Sequence, residues 1–397
     1  MKDVDVDVFE AGKYPLAKVA VTGGGRCNLT NSFRDIPSLL LAYPRGDKLM
    51  RRALRVFSNE DTMRWFEREG VALVTQDDQC VFPVSQDAMQ IVNTLLRLMR
   101  EEGVRLFTSR RPTVVPVPNA TTAPNATTIP CTSPQGSSFL VDGSPYDAVV
   151  IAVGGCPKLS RLEFLKAFSL DIIPPVPSLF TFNVAGSWHQ ALMGTVVENA
   201  SVMIAGTKFR SSGAILLTHW GMSGPAILRL SSYAARWLSE EDYKCSICIN
   251  WYGEKKEDDV RLELLRMKEK AGQKLVSNEY PSHLTQRHWL VLLDRAGISS
   301  TLRWQAMNKK ELNRLVTVLT ADVYEVMGRC HFKEEFVTAG GIALNNININ
   351  TLEAKKYPGL YFIGEVLDVD AITGGFNLQA AWSMAYVVAQ ELRKKGK

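Results

Sequence analysis

Two carboxylates, each set at the end of an apolar strand and each near glycines, are the residues of this 397-residue chain best placed to do chemistry. The first is Glu365. The stretch TLEAKKYPGLYFIGE supplies a turn and then the strand LYFI, which delivers Gly364 and Glu365 to its carboxyl end, where open α/β sheets place ligands. A carboxylate there can grip a ribose or ribityl hydroxyl, and Asp368 stands just beyond it. Gly374 and Gly375 let the backbone pass close to a bulky ligand. The helix opening at Phe376, Asn377 and Leu378 would aim free N–H groups at an anionic edge such as flavin N1/O2. The second carboxylate is Glu10, which ends the strand-like VDVDVFE and reads as a ribose carboxylate. In dinucleotide folds such an acid stands about twenty residues past a glycine fingerprint. Only nine residues precede Glu10 and no G-x-G-x-x-G occurs, so the first strand, glycine turn and helix of that unit are expected to be missing.

A glycine triplet adds a second kind of chemistry. Gly23, Gly24 and Gly25 can form a nest of backbone N–H groups that holds an anion, and the planar fork of Arg26 can pair with a phosphate or carboxylate. Lys18, Thr22, Asn28 and Thr30 flank the nest as lesser candidates, and Gly154 and Gly155 close another strand, YDAVVIAVGG, in the same manner. Cys27 has no second cysteine two residues away and reads as packing. Cys245 and Cys248 form C-x-x-C, but strand alternation in YKCSICINW sends Cys245, Ile247 and Ile249 to one face and Cys248 to the other, which argues against zinc. His219, in LLTHWGMSGPAIL, precedes a Gly/Ser/Gly-Pro turn between two apolar runs; His189, His283, His288 and His331 have no comparable setting.

KVAVTGGGRCNLTNS (18 to 32), CVFPVSQDA (80 to 88), LLTHWGMSGPAILRLS (216 to 231), FVTAGGIAL (336 to 344) and the tail from Gly364 together resemble the aminoacetone oxidase family of FAD-binding enzymes, also called BaiN-type NAD(P)/FAD-dependent oxidoreductases. The resemblance runs from about Val4 to Leu392. One further departure is Ala371, where a glycine is expected. The resemblance implies FAD as redox centre, a two-electron step on a small-molecule substrate, and His219, Trp220, Ser223 and Arg26 on the substrate side. Both an amine oxidase and an NAD(P)H-dependent reductase of an enone-like substrate are open, the latter with NAD(P)H as a transient donor. On the adenine side, Pro112 falls where a backbone donor is expected and Val114 is the substitute. The rival reading is a truncated or cofactor-free homologue acting as a scaffold.

The elements that must position these residues are legible in outline. A hydrophobic content of 46% over this length predicts two or three domains. A net charge of +5, with Lys and Arg spread along the chain, argues against a nucleic-acid partner. Seven scattered cysteines fit a reducing compartment, and with no apolar run long enough to span a membrane and no signal peptide, a cytoplasmic protein is expected. Helical spacing covers 47 to 70 and 86 to 102, the latter with Met89, Val92, Leu95, Leu96 and Met99 on one face. The Pro/Thr/Ser/Asn-rich stretch 112 to 138, with its NATTAP/NATTIP duplication and the sequons at Asn119 and Asn125, reads as an extended loop. Segments 179 to 186, 194 to 210 and 244 to 252 alternate like antiparallel strands. Residues 256 to 330 read as helical, with Leu262, Leu264, Leu265, Leu290, Leu292, Leu293, Leu312 and Leu315 as core. The expected architecture is α/β: a Rossmann-like FAD-binding domain of the glutathione-reductase type (1–183 and 335–397), interrupted by a β-rich insert (184–255) and a helical subdomain (256–334). The substrate pocket is expected between the inserts and the flavin.

Overall fold

The computed structural model describes residues 4–117, 138–156, 158–186, 188–330 and 337–395. The sequons, the NATTAP/NATTIP duplication, His331 and Phe336 lie outside them, as does the side chain of His189. The chain divides into two compact units, Met1–Val176 with Thr338–Lys397, and Pro177–Val337.

The first unit mixes parallel and antiparallel pairing. Asp7–Phe9 runs parallel to Arg105–Phe107, and Val149–Ile151 parallel to Leu360–Phe362, whose three residues are all buried. An antiparallel meander, Val114–Pro116, Phe139–Val141 and Ser144–Tyr146, holds Val114 opposite Val141, so the backbone of this adenine-side candidate lies within a ladder. Thr30–Asn31, Cys80–Pro83 and Leu73–Thr75 make a second antiparallel set. Around them run the helices Asp47–Val56, Asn59–Arg68, Ala88–Glu101 and Phe376–Lys395. Local chemistry sets their starts: Ser58 and Asp61 form a reciprocal capping box, and the Asp87 side chain accepts the Met89 N–H. The buried face of Ala88–Glu101 carries Ala88, Ile91 and Val92; Met89, expected on that face, is exposed because it lies one residue off the stripe.

The second unit is built on a closed six-stranded barrel, in order Phe182–Val184, Gly221–Ser223, Arg210–Leu217, Val196–Ile204, Cys245–Asn250 and Asp322–Arg329. The last strand corrects the helical reading of 256 to 330. DVYEVMGR alternates buried and exposed residues, and it pairs with both Cys245–Asn250 and Phe182–Val184, which closes the barrel and removes free edges. The helices Glu257–Ala271, Gln286–Arg295 and Lys309–Thr320 share one apolar core with the barrel. Leu264, Leu292, Leu293, Leu312 and Leu315 lie in it, whereas Leu262, Leu265 and Leu290 are exposed, since a 3.6-residue period cannot bury neighbours on opposite sides of a helix. Cys245 packs against this core with Ile247 and Ile249, while Cys248 pairs with exposed Met203 and Val323 on the outer face.

Candidate functional site

Glu365 follows the buried strand Leu360–Phe362, and its carboxylate accepts the Thr338 N–H at 2.6 Å with the Lys18 ammonium 3.8 Å away. The side chain keeps 19% of its surface, enough for one edge to meet a ligand. Burial raises its pKa, against the pull of Lys18 and the Thr338 N–H. Gly155 makes this packing possible: a Cβ there would stand 2.6 Å from both Glu365 Cδ and Thr338 Oγ1. Gly154 has φ +71°, and only the Lys18 ammonium lies near its missing side chain. Gly364, at φ +73°, has nothing within 4 Å of that position. Thus Lys18, Gly154, Gly155 and Glu365 come together with Thr338, a participant that sequence reasoning missed although it opens the TAGG run.

The glycine triplet forms the nest that its residue types suggest. The helix Ala17–Gly25 leaves helical geometry at Thr22, and Gly23, Gly24 and Gly25 follow with φ of 58°, 68° and 81°. Gly24 and Gly25 face open space, while Gly23 packs on Asn28 and Phe82. Arg26 is exposed, with its guanidinium 4.5 Å from the Phe82 ring and bonds of 3.2 Å to the Gly23 carbonyl and 3.4 Å to Gln86. Cys27 is fully buried, and burial pushes its thiol up to about 11, so it is a packing residue with little thiolate at neutral pH. Thr22 caps back to the Val19 carbonyl.

The loop from Asp368 to Gly375 is held by partners far away in sequence. Arg45 pairs with the buried Asp370, while Asp368, two residues earlier, is half-buried. The Asn377 amide clamps Ala371, accepting its N–H at 2.9 Å and donating to its carbonyl at 3.1 Å. Phe376 is buried edge-on to Phe33 and Tyr43, and the Tyr43 hydroxyl donates to the Phe376 carbonyl. These two side chains are therefore committed within the protein, and what they can offer a ligand is backbone N–H. Gly374 (φ +124°) receives Asn31 on its carbonyl at 3.0 Å. Asn28 donates to the Thr30 carbonyl at 3.0 Å and accepts the Gly375 N–H at 3.2 Å, while Thr30 bonds Gln379. Gly375 cannot carry a Cβ, which would lie 2.6 Å from the Thr30 carbonyl carbon. Leu378 packs partly buried on the core of this unit. The segment 18 to 28 thus ties Glu365 at one end, through Lys18, to the glycine loop at the other, through Asn28.

Glu10 stands apart. Its carboxylate accepts the Gly12 N–H at 2.6 Å and closes its own exposed turn, which leaves one oxygen for a hydroxyl. His219 and Trp220 lie in the barrel unit, on the turn between Arg210–Leu217 and Gly221–Ser223, and Ser223 ends the second of these strands opposite Leu216. His219 is exposed there, its ring edge-on to Trp220 at 4.2 Å. A sharper outlier is His288, fully buried beside Trp251, with neither ring nitrogen hydrogen-bonded. Burial, with His283 adding to it, drives its pKa down to about 3.

The donor set suits a flavin dinucleotide: a partly exposed carboxylate for a hydroxyl, open-faced glycines at 24, 25 and 364 for close approach, and cations at Lys18 and Arg26 for phosphate. The HI0933-like protein Rossmann domain matches residues 1–391. The chain belongs to the HI0933-like family. Members of this family are FAD-dependent Rossmann oxidoreductases. The chain is 29% identical over 398 residues to a "ribosomal RNA dihydrouridine synthase" of Escherichia coli, covering 97% of this chain and 91% of that protein. A protein of the same name from Haemophilus influenzae is 26% identical, with 98% and 93% covered. The "3-dehydro-bile acid delta(4,6)-reductase" of Clostridium scindens is 23% identical, with 98% and 92% covered. Among the described residues no helix is long and apolar enough to cross a membrane.

Proposed function

We propose that this HI0933-like protein is an FAD-dependent reductase of a carbon–carbon double bond conjugated to a carbonyl, with NAD(P)H as transient electron donor. The convergence of Lys18, Gly154 and Gly155 around the partly exposed carboxylate of Glu365 carries the cofactor part of this reading. FAD, when bound, supplies a two-electron hydride donor and acceptor. The names of the curated relatives support the reaction class: dihydrouridine is uridine reduced at a double bond next to a carbonyl, and a delta-4 bond beside a 3-oxo group has the same electronic form. An enone-like substrate is what the BaiN-type resemblance also allows.

In this reading Glu365 and Glu10 hold sugar or ribityl hydroxyls, and Lys18 and Arg26 hold phosphate charge. Gly24, Gly25, Gly154 and Gly364 keep side chains out of the ligand's space, while Gly23 lets the nest pack on Asn28 and Phe82. The backbone N–H groups of Phe376, Asn377 and Leu378 face an anionic ring edge from the helix N-terminus. On the substrate side His219, Trp220 and Ser223 are the candidates, and His219 is the one among them whose ring is exposed.

The test is anaerobic. The protein is loaded with FAD, bleached with NADPH, and then offered a 3-oxo-Δ4 steroid, uridine-containing RNA, or aminoacetone. Return of the yellow colour with either conjugated carbonyl is the expected result. Bleaching by aminoacetone in place of NADPH would make it an amine oxidase and overturn the reductase reading, and failure to bind FAD would leave the scaffold alternative.

A further inference from the structure

The helix Asp47–Val56 carries a cationic face that the cofactor site does not use. Leu49, Met50 and Ala53 are its buried residues, and the opposite side exposes Lys48, Arg51, Arg52 and Arg55. Arg51 leans on Asp47 at 3.9 Å; among the described residues no ion pair forms at Lys48, Arg52 or Arg55. Three unpaired cations one and two turns apart on a helix form a row that counting charges along the sequence hides. Beside this helix lies an open cavity of about 590 Å³ lined by Val56, Phe57 and Tyr386 and by the charged side chains of Asp61, Arg64, Glu67 and Arg68. The Tyr386 ring, 37% exposed, stacks on Phe57 with centroids 4.4 Å apart, so one aromatic face is backed by another. The carboxylate of Asp61, which also lines the cavity, is taken up by Arg64 and the Ser58 cap. The whole arrangement is anchored to the glycine loop: Arg45 pairs with Asp370, Ile372 donates to the Ala42 carbonyl, and Gly46, just before the helix, abuts Val369.

We propose that this face binds single-stranded RNA, with Lys48, Arg52 and Arg55 on consecutive phosphates and a base against Tyr386. A row of point charges is what a phosphate backbone recognises, and an exposed aromatic face beside it is what an unpaired base stacks on. An anionic membrane would use the charges but has no use for the aromatic cavity. The inference deepens the reductase reading by naming the polymer that carries the reducible base. It rests on that reading only for its purpose, since binding is measured apart from turnover.

The experiment measures binding of the full FAD-loaded chain to a short fluorescent oligouridylate across a salt series. The comparison is the triple variant Lys48→Gln, Arg52→Gln, Arg55→Gln, with steroid enone reduction and flavin absorbance followed in parallel. We expect the variant to lose about tenfold or more in affinity and the salt slope to fall by roughly 2, three single-strand phosphate contacts at ~0.7 each. Flavin content and enone reduction stay at the level of the unmodified protein. Tyr386→Ala weakens oligouridylate binding and leaves the binding of inorganic polyphosphate unchanged. Equal affinity and slope in the triple variant would overturn the proposal, as would binding of phosphatidylserine vesicles in place of RNA. Loss of enone reduction in the unmodified protein with RNA binding intact would strike the reductase reading alone.

Discussion

At the scale of single residues, Glu365 and His288 show two ways of burying a titratable group. Glu365 is buried with partners, a backbone N–H and an ammonium, and it retains an edge for a ligand. Replacing it with Gln keeps the shape and removes the charge; a charge-assisted hydrogen bond is worth about 1.5–3 kcal/mol, so FAD affinity is expected to fall by roughly tenfold or more in a fluorescence titration. An unchanged dissociation constant would remove Glu365 from the site. His288 is buried with no hydrogen-bond partner. Its pKa falls from an ordinary 6.5 to about 3, so the unfolded chain takes up a proton that the folded chain refuses. The stability due to the neutral ring is present in full above pH 6.5 and is lost as the pH falls toward 3, at about 1.4 kcal/mol per unit. His288→Phe is expected to flatten that acid limb in urea melts at pH 4.5 against pH 7, and parallel losses in both proteins would refute the assignment. For His219, alanine is expected to lower turnover with flavin content unchanged, by about 10²-fold if its ring moves a proton.

At the scale of elements, the glycine loop and the strand Thr30–Asn31 act as one piece. Asn28, Thr30 and Asn31 reach Gly375, Gln379 and Gly374 across more than three hundred residues of sequence. Gly375→Ala combines a positive φ of 87° with a backbone clash, and it is expected to destabilise the fold by about 2 kcal/mol or more. Gly374→Val meets the Phe376 ring at 2.9 Å and is expected to lower flavin occupancy along with stability. Full yellow colour and an unshifted melt in either variant would sink this account of the loop. The glycines themselves were legible in the sequence because few other uses explain Gly-Gly before a helix. Arg45, Tyr43 and Asn31, which hold the loop, were not, since nothing in a one-dimensional pattern marks a partner so distant. The strand Asp322–Arg329 was misread for a different reason: its period-2 alternation follows a long helical stretch, and its barrel neighbours begin at Phe182 and Cys245.

At the scale of the whole molecule, two units with separate cores should not melt as one. The candidate cofactor residues all belong to the unit of Met1–Val176 and Thr338–Lys397, and the substrate-side candidates His219, Trp220 and Ser223 to the other. Calorimetry is expected to show FAD raising one transition only, by about 2.7 kcal/mol at a hundredfold excess over its dissociation constant, with the barrel's transition unmoved. A single transition raised as a whole would show the units to be energetically one. By itself the sequence determined the α/β class, the strand-end carboxylate, the glycine nest and the opposed faces of Cys245 and Cys248, because each follows from local periodicity or from the backbone freedom that only glycine has. Tertiary structure alone decided that the side chains of Asn377 and Phe376 are engaged within the protein, that six strands close into a barrel, that the ring nitrogens of His288 are left without hydrogen-bond partners, and that three cations share one face. Those outcomes depend on which distant segments meet, and contacts made across hundreds of residues leave no periodic trace in the chain.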